Sequence, residues 1–336
     1  MQIQSRRAFL NLVNSRTAPA GGYWLHVNRA AMACRFEITL PFSDHAGLAV
    51  ATEALNTVAA LESQLTVFRV DSEVSHINRH AASDFVCVEQ SLFDLLALSQ
   101  FLARETEGAF DITSGPLTRC WGFLRREGRV PEGQEIEKAK SFVGGDKLLL
   151  DQVSRTVGFV RPGVEINLGS IGKGYALDCV ATLMESRIRT ALLNAGASSI
   201  RAIGSPDIGG GGQGWSVGLR HPRFKNRRLG VLRLHDCAMS TSGSEEQFFE
   251  HQGRRYGHII DPRSGVPAAS VTSVSVVAES TAISDALATA FYVGGHELAE
   301  RYCKSHPNVL VIMLESDAEH PLLIGDSRRC EIEKIA

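Results

Sequence analysis

Residues 165–178 read EINLGSIGKGYALD, and this stretch decides how the rest of the chain is interpreted. The apolar run 164–168 predicts a strand, and the glycines after it predict a turn into a helix over 172–186. Free N–H groups at a helix start carry partial positive charge and suit phosphate oxygens. Lys173 adds a full charge where the helix dipole alone disfavours a cation, which favours a bound anion at this turn. A solvated lysine at a glycine-rich turn is the alternative interpretation.

Two nucleotide-binding motifs are excluded by their spacing. The lysine turn is no Walker loop, because Asn167 stands where that loop has glycine and Gly174 stands where it has serine or threonine. Residues 209–214, GGGGQG, match the dinucleotide fingerprint, but a strand-like run over 214–219 follows them instead of a helix. We therefore interpret 209–214 as a surface loop.

The composition excludes several classes of protein. The chain has 336 residues, 44% of them hydrophobic, which is enough for a substantial core. Its formal net charge is −2, whereas non-specific nucleic-acid binding needs a basic surface, so no nucleic-acid partner is expected. No apolar run approaches the roughly 18–20 residues of a membrane span, so no transmembrane segment is expected. The seven cysteines form no CxxC pair or Cys/His cluster at zinc spacing, which predicts reduced thiols.

The N-terminus leaves the compartment open. Residues 5–10, SRRAFL, match the core of a twin-arginine export signal. Residues 11–16, NLVNSR, are too polar and too short for the apolar stretch of about 7–15 residues that such a signal needs. We therefore favour a flexible N-terminal arm over 1–28, one domain over 29–336 and a cytoplasmic location. Export through the twin-arginine-like N-terminus is the alternative.

Hydrophobic periodicity predicts strands and helices that are interspersed along the chain, so the class is a mixed one, α/β or α+β. Strands are predicted at 34–40, 147–150, 190–193, 215–219, 230–234, 271–278 and 309–314. Helices are predicted at 48–65, 90–105, 172–186, 284–293 and 297–305. The chain has no internal repeats and no long linker, which agrees with a single domain.

The segment 284–290, SDALATA, carries oxygen ligands at helical spacing. Asp285 and Thr289 lie four residues apart and therefore on one helix face. Their oxygens suit a hard ion such as Mg²⁺, which keeps waters and substrate phosphates in its coordination shell. A first-turn acid that only stabilises the helix dipole is the simpler interpretation of Asp285.

Taken in order, these segments and several others resemble the ApbE family of FAD:protein FMN transferases, formerly called thiamine-biosynthesis lipoproteins. The resemblance runs from about Met32 to Val293 and depends on the order of many short motifs, none of which is decisive alone. The matching motifs are MACRF (32–36), FRVDSEVSHIN (68–78), GAFDIT (108–113), PL (116–117), WGF (121–123), the lysine turn, NAG (194–196), STSG (240–243), HIIDPRSG (258–265) and SDALATA (284–290).

The resemblance implies an ApbE-like fold, in which mixed, largely antiparallel sheets pack with helices around a cleft for FAD. Phe68 stands where the family often has a tyrosine that stacks on the isoalloxazine ring, and an aromatic face is enough for stacking. The resemblance also implies Mg²⁺, held by the side chains of Asp285 and Thr289 and by a backbone carbonyl near Ser170. The residues implied to contact FAD are Met32, Phe68, Ala109, Phe110, Asp111, Asn167, Lys173 and His258.

The implied reaction is the Mg²⁺-dependent transfer of the FMN moiety of FAD to a hydroxyl of a partner flavoprotein, with release of AMP. The partner would carry a threonine or serine flavinylation site, threonine being the usual acceptor. Lys173 would neutralise charge on the phosphate oxygens. His258 would position a group or move a proton, because the pKa of histidine suits neutral pH. Asn167 completes the implied catalytic set, at a position where the family usually has aspartate.

Three departures from the family pattern leave other functions open. Asn167 removes a charge, Ala33-Cys34 replaces Gly-Thr, and residues 197–199 read ASS where the family commonly has glycine and aspartate. The alternatives are an FAD pyrophosphatase that gives FMN and AMP, and a non-catalytic FAD-binding protein. The retained lysine and metal-site residues favour the two enzymes, because a binding protein has less need of a metal site.

Overall fold

The computed structural model describes residues 24–42, 44, 47–206, 214–224, 226–243 and 247–335. Its helices are α1 (Gly47–Leu65), α2 (Glu73–His80), α3 (Gln90–Glu105), α4 (Gly115–Cys120), α5 (Gly133–Lys140), α6 (Gly172–Glu185) and α7 (Thr281–Ser305). Short 3-10 helices lie at Phe123–Arg125 and Gly145–Lys147. The strands are β1 (Trp24–Ala31), β2 (Cys34–Pro41), β3 (Val86–Cys87), β4 (Leu148–Asp151), β5 (Thr156–Phe159), β6 (Ala191–Ala195), β7 (Ser199–Ile203), β8 (Trp215–Arg220), β9 (Arg228–Leu234), β10 (Ala238–Gly243), β11 (Phe248–His251), β12 (Arg254–Gly257), β13 (Val271–Ala278), β14 (Leu310–Glu315), β15 (Leu322–Gly325) and β16 (Cys330–Ile335).

The largest sheet has the strand order β1-β2-β6-β7-β10-β13-β14-β15. Every pair of neighbouring strands in it is antiparallel. The smaller sheets, β3-β5-β4 and β16-β9-β8, and the hairpin β11-β12 are also antiparallel. The prediction of an α+β fold with largely antiparallel sheets is therefore confirmed.

The largest sheet separates two hydrophobic clusters. Strand β14 shows the division: Val311 and Met313 belong to the cluster that contains the buried faces of α1, α3, α6 and α7. Leu310, Ile312 and Leu314, which alternate with them, belong to the cluster that contains β8 and β9. All positions of β13 are buried, as expected of a strand covered on both faces. The fold therefore has three layers, with the helices on one face of the large sheet and the β16-β9-β8 sheet on the other.

The two helices predicted at 284–293 and 297–305 are the two halves of α7. Gly295 interrupts the helix with a φ of 70°, a conformation that glycine adopts without steric cost. The predicted helices at 48–65, 90–105 and 172–186 correspond to α1, α3 and α6 within one residue at each end.

The predicted strand at 164–168 is wrong, because these residues pair with no sheet. Glu165 forms only an isolated parallel bridge with Ser114. The side chain of Asn78 takes the place of a neighbouring strand: its Oδ1 accepts from Ile166 N at 2.8 Å, and its Nδ2 donates to Ile166 O at 2.9 Å. The backbone N–H and C=O of the buried Ile166 are therefore satisfied without a sheet.

The prediction of a flexible arm over 1–28 is wrong for residues 24–28, which lie in β1. This strand pairs with β2 from Trp24 opposite Pro41 onwards, and Leu25 and Val27 pack against the hydrophobic core. Apolar side chains at alternate positions give this segment a partly buried face, so it belongs to the domain. Residues 1–23, which include the twin-arginine-like motif, and residues 209–213 of the glycine-rich run lie outside the described residues.

Met32 and Ala33 form the two-residue turn between β1 and β2. Both residues have positive φ, 49° and 57°, and Ala31 pairs with Cys34 on either side of them. Such a turn matches the twist of the strands, but it favours glycine, asparagine or aspartate. The left-handed conformation costs a non-glycine residue roughly 1–2 kcal/mol.

We expect Ala33→Gly to stabilise the fold by roughly 0.5–1 kcal/mol, because relief of the left-handed strain exceeds the extra entropy of glycine in the unfolded chain. Urea denaturation measures this change in the free energy of unfolding. Ala30→Gly, at an exposed position inside β1, is the control and should destabilise by a similar amount. Loss of stability in both variants would mean that the turn stores no strain.

Candidate active site

A cleft of about 490 Å³ lies between the β1–β2 turn, the end of α1, the start of α6, the end of β10 and one face of α7. The structure brings to this cleft every residue that the sequence analysis assigned to ligand, metal or catalysis. They are Met32, Phe68, Ala109, Phe110, Asp111, Asn167, Ser170, Lys173, His258, Asp285 and Thr289. Their proximity is therefore established, whereas their individual roles stay predictions.

Asn167 orders the turn that leads into α6. Its backbone N–H donates to Ile112 O at 2.7 Å, and its side-chain Oδ1 accepts from Gly169 N at 2.9 Å. A side-chain oxygen that accepts from the backbone two residues later is the usual way in which asparagine or aspartate stabilises a turn. Position 167 therefore has a structural task that aspartate would also perform.

The start of α6 uses some of its N–H groups within the protein. Gly172 N donates to Leu168 O at 2.7 Å, and Gly174 N donates to Asp285 Oδ2 at 3.1 Å. These groups are engaged, which reduces the partial charge that the helix start offers to a ligand. The side chain of Lys173 is therefore the main source of positive charge at this turn.

Asp285 is a buried carboxylate, only 4% exposed. Its Oδ2 lies 3.7 Å from Lys173 Nζ, and its Oδ1 accepts from Ser199 Oγ at 3.5 Å. Burial raises the pKa of Asp285, while Lys173 and the hydrogen bonds from Gly174 and Ser199 act in the opposite direction. Lys173 is therefore the nearby charge that opposes the effect of burial on this carboxyl group.

Thr289 lies one turn after Asp285 on α7 and faces the same cleft. Its Oγ1 donates to Asp285 O at 3.3 Å and lies 3.3 Å from Ser242 Oγ. Within the described ranges, no group of three or more His, Cys, Asp or Glu side chains is placed to hold a metal ion. A set of one carboxylate, one hydroxyl and a carbonyl near Ser170 still fits Mg²⁺, because this ion keeps several waters and binds substrate phosphates.

His258 has a defined tautomer. Its Nδ1 lies 3.1 Å from Gln247 O, and a carbonyl oxygen only accepts, so Nδ1 donates and Nε2 carries the lone pair of the neutral ring. Burial is the main cause that lowers the pKa of His258, and Lys173 lowers it further, while the bond to Gln247 opposes both. The ring is therefore neutral near pH 7 and can accept a proton at Nε2.

Three of the residues expected to contact FAD are almost completely buried: Ala109 and Phe110 are 1% exposed and Asp111 is 6% exposed. Asp111 Oδ1 accepts from Thr113 N at 2.8 Å and from Thr113 Oγ1 at 2.6 Å, so it orders the loop. Burial raises the pKa of Asp111, and the bonds with Thr113 oppose this. In contrast, Phe68 is 73% exposed and offers its ring to a ligand at the rim of the cleft.

The comparisons with known proteins agree with this geometry. The ApbE family profile matches residues 32–313. The chain belongs to the ApbE family. A relative from Treponema pallidum named FAD:protein FMN transferase is 31% identical over 278 residues, which are 79% of this chain and 76% of that protein. The protein of the same name from Vibrio cholerae is 30% identical over 271 residues, 79% of each chain.

A solved ApbE structure shows the same fold. The crystal structure of the ApbE protein from Thermotoga maritima is similar with a TM-score of 0.81 and 29% sequence identity, over 91% of this chain and 97% of that one. The resemblance drawn from the motifs and the ApbE-like fold are therefore both confirmed. The family match also continues beyond Val293 into β14. No helix among the described residues is long and apolar enough to cross a membrane.

Several residues that line the ApbE cleft were not predicted from the sequence. Glu62 Oε1 accepts from Met32 N at 2.7 Å and thereby holds the β1–β2 turn. Gln247 orients His258 through its carbonyl, and Ser242 hydrogen-bonds a predicted metal ligand. An acid near a helix end is usually solvated, and a backbone carbonyl carries no sequence signal. Only Ser242, inside the STSG motif, could have been found in advance.

We expect Lys173→Met to raise the pKa of His258, because removal of the nearby positive charge makes the protonated ring less unfavourable. NMR titration of the ring measures this pKa, which in the wild-type protein lies below the ordinary 6.5. Lys147→Met, outside the cleft, is the control. A His258 pKa that does not respond to Lys173→Met would show that the two groups are not coupled.

The same shift fixes the sign of a pH effect on stability. The pKa of His258 is lower in the folded protein than the ordinary 6.5 of the unfolded chain. When the pH falls below 6.5, the unfolded chain therefore binds a proton at His258 more readily than the folded protein does. His258 therefore contributes fully to the stability of the fold above pH 6.5, and this contribution is lost as the pH falls through the pKa of the folded protein.

Proposed function

We propose that this protein transfers the FMN moiety of FAD to a threonine or serine hydroxyl of a partner flavoprotein, with Mg²⁺ as cofactor and AMP as the second product. The observation that carries the proposal is the Lys173–Asp285 pair, 3.7 Å apart in the wall of a cleft that also contains Thr289 and His258. A cation and a metal-binding carboxylate at one point suit a pyrophosphate. The relatives from Treponema pallidum and Vibrio cholerae are named FAD:protein FMN transferase, which supports the transfer of FMN from FAD to a protein.

The cleft offers chemically different surfaces to different parts of FAD. The exposed ring of Phe68 and the apolar side chain of Met32 suit the isoalloxazine ring. Lys173, at the start of α6, suits the pyrophosphate. Ser198, Thr241 and Ser242 add hydroxyl groups to the same wall and suit the ribityl and ribose oxygens.

The proposed reaction is a displacement at phosphorus. The acceptor oxygen forms a bond to the FMN-side phosphorus, and the bond from that phosphorus to the bridging oxygen breaks, so AMP leaves with this oxygen. The hydroxyl proton passes to Nε2 of His258, the nitrogen that carries the lone pair. Lys173 neutralises charge that develops on the phosphate oxygens. Asp285, Thr289 and the carbonyl near Ser170 would hold Mg²⁺, which would supply Lewis-acid stabilisation of charge on the phosphate.

Incubation of the purified protein with FAD, Mg²⁺ and a threonine-bearing flavoprotein tests the proposal. We expect intact mass spectrometry to show one FMN on the acceptor and AMP in solution in equal amounts, and EDTA to stop both. FMN and AMP released in solution, with an unmodified acceptor, would make the protein a pyrophosphatase instead. FAD recovered unchanged under all conditions would make it a flavin-binding protein.

We expect Asp285→Asn to lower the rate of Mg²⁺-dependent FAD turnover by at least about 10²-fold, because the amide cannot supply the negative charge that a metal ion requires. The fold should be retained, because the amide oxygen can still accept from Gly174 N. The rate is followed by AMP release, with Asp151→Asn, an exposed position on β4, as the control. Normal turnover in Asp285→Asn would place the metal elsewhere.

We expect Asn167→Asp to raise the rate of FMN transfer or FAD hydrolysis by about tenfold or more, because aspartate adds a base where asparagine has none. The aspartate can keep the bond from Gly169 N, so the turn should be preserved. The rate is measured at matched FAD occupancy. An unchanged or lower rate would mean that position 167 only orders the turn and binds the nucleotide.

A further inference from the structure

The contact between α6 and α7 carries a second carboxylate, Asp178, that does not line the cleft. We propose that Asp178 is a positioning residue that sets the distance between Lys173 and Asp285 by holding the start of α7 against α6. Its kinetic effect rests on the proposed function, whereas its geometric effect can be measured without any turnover.

Asp178 accepts hydrogen bonds from the first residues of α7. Its Oδ1 accepts from Thr281 N at 2.8 Å, and its Oδ2 accepts from Ala282 N at 2.8 Å. Ser280, the residue before the helix, donates from Oγ to Oδ2 at 2.7 Å. A carboxylate of one helix therefore satisfies the unpaired N–H groups at the start of the other, and its charge faces the positive end of the α7 dipole.

Asp285 makes the reciprocal bond. It lies on α7 and accepts from Gly174 N of α6 at 3.1 Å. Positions 174 and 178 are one turn apart on α6, and positions 281 and 285 are one turn apart on α7, so the two bonds connect the same helix faces at two levels. Two links at different levels fix both the separation and the register of the helices.

The backbones at this contact are too close for packing alone to adjust the register. A Cβ atom at Gly174 would lie 2.3 Å from Thr281 O and 2.9 Å from Ala282 Cα. The helices therefore touch without an intervening side chain, and the bonds of Asp178 hold residues 280–282, at the start of α7, in this contact.

The two functional groups are tied directly to this contact. Lys173 precedes Gly174, and Asp285 follows Thr281 by one helical turn. The separation of 3.7 Å between Lys173 Nζ and Asp285 Oδ2 therefore depends on the position of the first turn of α7. Misplacement of catalytic groups by about 1 Å can cost roughly 10²-fold in rate, so a group outside the cleft can control the reaction.

Asp178→Asn tests the inference with little change of shape. The amide keeps one acceptor oxygen and turns a donor towards Ser280 and Ala282 N, so the start of α7 loses part of its anchor. We expect kcat for FAD turnover to fall about tenfold with a change of KM below about twofold, and Asp178→Ala to fall further, by about 10²-fold. If Asp178→Ala does not fold, Ser280→Ala removes one of the three bonds to Asp178 together with the bond that Ser280 Oγ accepts from Ile283 N, and it should give a smaller fall in kcat.

Asp44→Ala is the matched control. Asp44 Oδ1 accepts from Gly47 N at 2.9 Å, so it caps α1 at the end far from the cleft. We expect this variant to lower Tm about as much as Asp178→Asn does while its kcat stays at the wild-type value. Equal values of kcat in the two variants would reduce Asp178 to a helix cap and overturn the inference.

A crystal structure of Asp178→Asn supplies the readout that is independent of turnover. We expect the distance between Lys173 Nζ and Asp285 Oδ2 to exceed the 3.7 Å of the wild-type protein. An unchanged distance overturns the inference whatever the rate. If the wild-type protein does not turn over FAD, the proposed function fails, and this distance alone decides the role of Asp178.

Discussion

The burial of Asp285 beside Lys173 is the constraint on which the rest of the site depends. A carboxylate that is 4% exposed stays ionised only if a cation and hydrogen-bond donors replace the water that it has lost. Lys173 and Gly174 N are close enough to do so because α6 and α7 meet with no side chain between them. Gly174 therefore allows the close contact of the two helices, and Lys173 and the N–H of Gly174 stabilise the charge of Asp285.

The antiparallel sheet explains why distant motifs meet at this point. Phe36, near the start of β2, pairs with Ala195 at the end of β6, and Ser199 at the start of β7 pairs with Ser240 in β10. The β1–β2 turn, the β6–β7 turn and the end of β10 therefore lie at one edge of the large sheet. Met32, Ser198 and Ser242 reach the cleft from these three places. Lys173 and Asp285 reach the same cleft from α6 and α7 in the helix layer.

Much of this arrangement could be predicted from the sequence because its signals are local. Periodicity located α1, α3, α6 and both halves of α7, and short motifs named every proposed site residue that the cleft contains. The prediction from the sequence was wrong where a side chain takes the place of a neighbouring strand. The side chain of Asn78 hydrogen-bonds the backbone N–H and C=O of Ile166, which lies in an apolar run outside any sheet. No periodic pattern in the sequence reveals such a partner.

Burial within the site was equally hidden from the sequence. Ala109 and Phe110 belong to a motif implied to contact FAD, yet both are 1% exposed, so the cleft receives little of their side chains. The engagement of the first N–H groups of α6 was also invisible, because Asp285 lies 111 residues away from Gly174. Glycine patterns indicate where a ligand can approach the backbone. They do not indicate whether the backbone N–H groups at that place already donate hydrogen bonds within the protein.

A crystal structure of the protein with FAD tests most directly whether the Lys173–Asp285 pair forms the pyrophosphate site. We expect the pyrophosphate to lie within hydrogen-bond distance of Lys173 Nζ at the start of α6, with the isoalloxazine ring against Phe68. The cleft adjoins a second cavity of about 250 Å³ whose lining includes Arg69, Arg79 and Arg119. A pyrophosphate bound to these arginines, away from Lys173 and Asp285, would show that the Lys173–Asp285 pair does not form the pyrophosphate site.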